Sequence, residues 1–127
     1  MNPILPDTDL LIDYLRGHEK AVAFLKARMD RIVLSVVVIA ELYSGIRKPD
    51  EKEAIDALIE VCPTFPVGLE LAKQAGRYKR EYQKSHGIGL MDALIAATAT
   101  AGNAELKTLN VKHYPMFKGL KPPYKKT

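Results

Sequence analysis

The sequence predicts an α/β domain in which a parallel sheet is covered by helices on both faces. Short apolar runs alternate with segments of helical periodicity along the chain, and strands separated by crossover helices pair in parallel. The apolar fraction, 47% of 127 residues, is enough for one core. No linker, internal repeat or low-complexity segment divides the chain, so residues 1–127 are expected to form a single domain.

Residues 3–6 read as a buried strand, with Pro3 and Pro6 at its ends or on an unpaired side because neither can donate to a ladder. Thr8 to Leu15 follows as a helix stopped near Gly17, and Asp7, Thr8 and Asp9 are suited to accept from the free N–H groups of a first turn. Ala21, Val22, Phe24 and Leu25 set a second helix over residues 19–28. "RIVLS" is the next strand, and Ser35 is placed to cap a helix from about Val37 to Arg47 that Pro49 ends. A helix over residues 51–60, a short strand "TFPV" and a long basic helix from Leu69 to Lys84 come next, the last broken by Gly87 and Gly89. "LMDALIAATATAG" is an alanine-rich helix that stops at Gly102, and "AELKTLN" is the last strand before an irregular end.

Cys62 is the sole cysteine, so no internal disulfide can form, and a reducing compartment, the cytoplasm, is the expected location. The apolar run from Ile32 to Ala40 falls well short of the roughly 20 residues that span a bilayer, and the N-terminus lacks a basic region followed by a long apolar one. Neither secretion nor a membrane partner is expected. A net charge of +4 and a pI near 9.2 favour a polyanionic partner. The terminal stretch "KHYPMFKGLKPPYKK" interleaves lysines with Tyr114, Phe117 and Tyr124, which suits either phosphate contact with base stacking or a solvated tail. With no G-x-G-x-x-G after the first strand and no G-x-x-x-x-G-K-[ST], dinucleotide and P-loop readings lose their main support.

The acids are more informative. In open parallel sheets, sites form at the carboxyl ends of strands, and Asp7 lies at such an end. Asp13 has Arg16 at helical spacing, whereas Glu41 has Val37, Val38, Ser44 and Gly45, and Asp92 has Ile88, Gly89, Ile95 and Ala96. A carboxylate taken out of water without a partner is costly, so such acids are protonated, paired from elsewhere in the fold, or bound to a metal. Taken singly, Asp7 and Asp92 also suit helix caps, and Glu41 a distant Lys or Arg.

The motifs "ILPDTDLLIDYLRG", "VVIAELYSGIRK", "GLMDALIAATA" and "TLNVKHY" stand in an order and spacing that, over nearly the whole chain, resembles the PIN-domain nucleases, specifically the VapC-type toxins of toxin–antitoxin pairs. The resemblance implies a small three-layer α/β fold with a central parallel sheet flanked by helices. It also implies a Mg²⁺- or Mn²⁺-dependent ribonuclease with RNA as substrate, a homodimer, and inhibition by a cognate antitoxin. Asp7, Glu41 and Asp92 match the family's main acids, as catalytic residues and metal ligands, and Asn110 stands where many relatives supply a fourth.

Carboxylate oxygens suit Mg²⁺ or Mn²⁺, and such ions activate water and stabilise the departing 3′-oxygen of a phosphodiester, leaving 5′-phosphate and 3′-hydroxyl ends. Thr8 and Asn110 are read as orienting metal or water, Lys112 and His113 as RNA contacts, and Asp9 as either an acid supporting the metal ligands or, in preference, a first-turn helix charge. Three other readings stay open. A metal-free mechanism uses His18 and His113 as general base and acid and leaves a 2′,3′-cyclic phosphate, although His18 and His86 sit where surface residues are common. A PIN fold lacking the fourth acid serves as a binding module. A response-regulator-like phosphoacceptor domain uses Lys121 before Pro122, but no strand near residue 60 ends in an acid.

Overall fold

In the computed structural model, which describes residues 1–126, the first strand, β1 (Ile4–Pro6), is paired along both edges. On one side it runs parallel to β4 (Glu105–Lys107), with Ile4 opposite Glu105, Leu5 opposite Leu106 and Pro6 opposite Lys107. On the other, a parallel bridge from Ile4 to Ile32 and a 2.9 Å hydrogen bond from Val33 N–H to the Ile4 carbonyl lead into β2 (Leu34–Ser35). β2 pairs in parallel with β3 (Thr64–Phe65), so the strands lie in the order β3-β2-β1-β4. Pro3 and Pro6 sit where the missing donors do no harm: the ladder closes through Glu105 N–H to the Pro3 carbonyl and Asp7 N–H to the Lys107 carbonyl, each 2.8 Å.

Six helices cover the sheet: α1 (Thr8–Leu15), α2 (Glu19–Lys26), α3 (Val36–Ser44), α4 (Pro49–Val61), α5 (Leu69–His86) and α6 (Leu90–Ala101). Ile4 and Leu5 are buried although they point to opposite faces, as a parallel sheet covered on both sides requires. α6 buries Ala93, Ile95, Ala96, Ala97, Thr98 and Ala99, and its small side chains let α5 approach closely through Leu71 and Ala75. Just past α6, a Cβ on Gly102 would lie 2.2 Å from the Phe65 ring, so only glycine fits there without displacement. No helix among the described residues is long and apolar enough to cross a membrane.

Several boundaries differ from expectation. "RIVLS" gives only two ladder residues, because Met29–Arg31 form a 3₁₀ turn and Ile32 makes a lone bridge. "TFPV" stops at Phe65, before Pro66, and "AELKTLN" stops at Lys107, where the chain turns away. Pro49 does not merely end α3 but opens α4 at its first turn, where no N–H is needed. α5 runs on to His86 and is closed by Gly87 in the left-handed region, φ +60°. Asp13 does not pair with Arg16: it faces inward and accepts from Tyr124 OH at 2.7 Å and Lys126 Nζ at 2.9 Å, while Arg16 is exposed. Those two tail residues therefore clamp the chain end against α1 rather than standing free in solvent.

Candidate active site

β1 and β4 leave the sheet side by side where the strand order reverses, which is where open parallel sheets place their sites. Asp7, directly after β1 and buried, uses its two oxygens differently. Oδ1 accepts from Thr8 N–H at 2.8 Å and caps α1; Oδ2 faces inward and accepts from Thr108 Oγ1 at 2.8 Å and Tyr114 OH at 2.9 Å. Capping and an inward-facing oxygen thus coexist on one side chain. Asp92, in the first turn of α6, has Oδ1 at 3.3 Å from the same Tyr114 hydroxyl and Oδ2 at 3.3 Å from His113 Nδ1. Glu41 on α3 accepts from Thr8 Oγ1 at 2.5 Å.

Asp9 is more than a helix charge. Its Oδ1 accepts from Leu10 N–H at 2.7 Å and its Oδ2 from Leu109 N–H at 2.9 Å, so it ties α1 to the segment leaving β4. Thr108 Oγ1 stands 3.3 Å from Asp9 Oδ2, but its single proton goes to the nearer Asp7.

The electrostatics follow from this crowding. Burial, and then the charge of Asp7, pushes the Asp9 carboxyl up to about 6 against the hydrogen bonds it accepts. Burial and Asp7 also raise Asp92, opposed by His113 and Tyr114. The Tyr114 phenol is held far above its ordinary range by burial, Asp7 and Asp92, which keeps it a donor. Among the described residues no Lys or Arg forms a salt bridge with Asp7, Asp9, Glu41 or Asp92. Nor do any three Asp, Glu, His or Cys side chains form a ready-made metal cage among those residues. The acids are held instead by a set of hydroxyls from Thr8, Thr108 and Tyr114.

Of the residues singled out in the sequence, Asp7, Thr8, Glu41, Asp92 and His113 are linked by these contacts. Asn110 is exposed and joins only through its backbone, whose N–H donates to Thr108 Oγ1 at 3.0 Å. Lys112 is exposed on the adjoining turn, Val111–His113. His18 is elsewhere, its ring stacked on Tyr124 at 5.3 Å. Sequence reasoning preferred a helix charge for Asp9 over a supporting acid, read Tyr114 only as part of a lysine- and aromatic-rich tail, and did not single out Thr108. The two-residue spacing of Asp7 and Asp9 just past the end of β1 was a usable signal for Asp9, whereas nothing in the sequence places Thr108 or the Tyr114 hydroxyl beside Asp7. A groove of about 450 Å³ reaches Glu41, floored by Ile12, Leu42 and Ile55 and rimmed by charges of both signs, Arg16, Arg47 and Lys48 with Asp50 and Glu51.

Comparison with known proteins bears on these features. The PIN domain family matches residues 4–114. Ribonuclease VapC10 of Mycobacterium tuberculosis is 45% identical over 124 residues, covering 95% of this chain and 92% of that protein. Ribonuclease VapC19 of the same organism is 42% identical over 125 residues, covering 94% and 98%. Among solved structures, a toxin–antitoxin complex from Klebsiella pneumoniae contains a chain that superposes with a TM-score of 0.82 at 25% identity, covering 97% of this chain and 99% of that one. The phosphoacceptor alternative falls with this match, since β3 ends at Phe65 and is followed by Pro66, with no acid to accept a phosphoryl group. With the family spanning all four strands and the cluster of acids, the chain belongs to the PIN-domain family and to its VapC branch.

Proposed function

We infer that the protein is a Mg²⁺- or Mn²⁺-dependent endoribonuclease and the toxin of a toxin–antitoxin pair. The observation that supports this reading is that Asp7, Glu41 and Asp92 are tied into one network through Thr8 and Tyr114, with no salt bridge from Lys or Arg to any of them among the described residues. Hard carboxylate oxygens of this kind fit Mg²⁺ or Mn²⁺. Asp7, Glu41 and Asp92 would hold the ion, exchanging hydroxyl hydrogen bonds for coordination. Asp9, whose oxygens are both engaged by backbone N–H groups, remains a positioning residue. A bound ion supplies Lewis acidity for the phosphate oxygens and for water.

The chain's own residues set the geometry. Thr8 fixes the Glu41 carboxylate, Tyr114 spans Asp7 and Asp92, and His113 orients the outer oxygen of Asp92. Lys112 adds charge for a phosphate beside that histidine, and the Asn110 amide, exposed at the edge, is available to water. The ribonuclease names of the Mycobacterium tuberculosis relatives support RNA as the substrate, and the Klebsiella pneumoniae complex supports an antitoxin partner. The apolar floor and charged rim of the groove ending at Glu41 suit an amphipathic antitoxin segment. Exposed Val36, Leu90 and Met91, at the starts of the packed helices α3 and α6, suit a homodimer contact. The cytoplasm, where RNA is accessible, is the corresponding location.

Cleavage of a susceptible RNA is expected to require Mg²⁺ or Mn²⁺, to stop in chelator, and to leave 5′-phosphate and 3′-hydroxyl ends. Asp92→Asn is expected to abolish it. Undiminished activity in chelator with cyclic-phosphate products would overturn the metal mechanism.

A further inference from the structure

A second hollow shares Tyr114 with the acids. It measures about 350 Å³, is walled by Tyr114, Pro115 and Phe117, and carries Lys112 and His86 at its edge. Tyr114 is the shared wall: its hydroxyl touches Asp7 and Asp92 on one side, and its ring stacks on Phe117 at 6.5 Å between centroids and 23° between planes. Lys112 neighbours His113, which contacts Asp92.

The surroundings are cationic. Lys107, Lys118 and Lys121 line the hollow on the far side of Phe117, and none of them, nor Lys112, forms a salt bridge among the described residues. Glu105 shares that lining, but its carboxylate is paired with Arg31 at 2.7 Å. The last turns of α5 add Arg80 and Lys84, exposed and likewise without a salt bridge, against one exposed acid, Glu81.

We propose that this hollow is a nucleotide subsite: it takes one unpaired nucleotide of the RNA next to the scissile phosphate, the base against Phe117 and the phosphate on Lys112 and His86. The inference rests on the ribonuclease reading above. An aromatic side chain flanked by unpaired cations is the combination that single-stranded nucleic acid recognises, because every base has a face to stack and every nucleotide a phosphate to neutralise. The volume suits one nucleotide.

The experiment uses an RNA that the wild-type protein cleaves, with each nucleotide in turn replaced by an abasic one. One position near the cut is expected to raise KM about tenfold, the size of one base–aromatic stack. Phe117→Leu should raise KM similarly for the intact RNA and add nothing at that abasic position. Lys112→Ala and His86→Ala alter exposed side chains outside the core; Lys112→Ala should flatten the salt dependence of binding by roughly 0.7 in log–log slope. Abasic and Phe117→Leu effects that multiply at every position would overturn the subsite while leaving the nuclease reading intact. So would a Lys112→Ala protein that cleaves RNA with unchanged salt dependence yet escapes its antitoxin, since the hollow would then be a protein contact. Absence of any metal-dependent cleavage would overturn both readings.

Discussion

Tyr114 places one phenolic proton between two carboxylates, and this makes its hydroxyl worth more than an ordinary hydrogen bond. Tyr114→Phe leaves Asp7 and Asp92 facing each other across an apolar edge. In chelator it is expected to cost about 1.5–3 kcal/mol, the range for hydrogen bonds to charged groups. Melting in chelator and in Mn²⁺ checks this: the deficit should shrink with the ion, and equal melting temperatures in chelator would show the hydroxyl to be dispensable. Asp9 gives a pH signature. Its carboxyl rises from an ordinary 3.8 to about 6 in the fold, so between those values the folded state holds a proton that the unfolded chain has released. Its stabilising contribution is complete below about 4 and is lost as pH rises through about 6. Asp92, also raised, acts with the same sign. Denaturant melts of the metal-free protein should show stability falling across that window, and Asp9→Asn should flatten the fall.

At the scale of the element, local chemistry and distant contacts part company. Ser35 caps α3 as its side chain suggested, with Oγ accepting from Val37 N–H at 3.1 Å, and Gly87 ends α5 because the chain needs a left-handed residue there. Such features are local and therefore legible. The lengths of β2 and β3 were not, because two-residue ladders exist only by virtue of their neighbours and carry no periodicity of their own. The same division holds in the site. Asp7 stood out by its place after the first strand, and Glu41 and Asp92 by lacking helical partners, whereas Thr108 and Tyr114 matter only because β4 brings them beside β1. Asp13 shows the converse error: a local partner, Arg16, was at hand, and a distant one, Lys126, was used. The junction of α6 with β3 yields a prediction of this type. Gly102→Ala pushes a methyl group into the Phe65 ring and is expected to destabilise by about 1–3 kcal/mol through overpacking. Phe65→Leu in the same chain should recover part of that loss, a coupling that denaturant melts of the single and double variants would measure.

Across the whole molecule, the tail beyond β4 returns to the start of the chain. Lys20 Nζ donates to the Lys125 carbonyl at 2.7 Å, and Tyr124 and Lys126 both bind Asp13. Burial pushes Asp13 up, but the hydrogen bonds from Tyr124 and Lys126 and the charge of Lys126 prevail and hold it below its ordinary range. The stability it contributes is present above that ordinary value and is lost as pH falls through the depressed one. Tyr124→Phe should cost about 1–2 kcal/mol near neutral pH and less once Asp13 is protonated, as melts at the two pH values would show. β1 carries a larger consequence. Its partner β4 and the donors to Asp7, Thr108 and Tyr114, lie about a hundred residues later in the sequence. Contacts so distant in sequence form late, because the intervening chain must be ordered before they close. A chain synthesised only through α6 can therefore pack its helices and still lack both the β4 edge of its sheet and the two hydroxyls that hold Asp7, so the site is complete only once the segment after α6 has joined it.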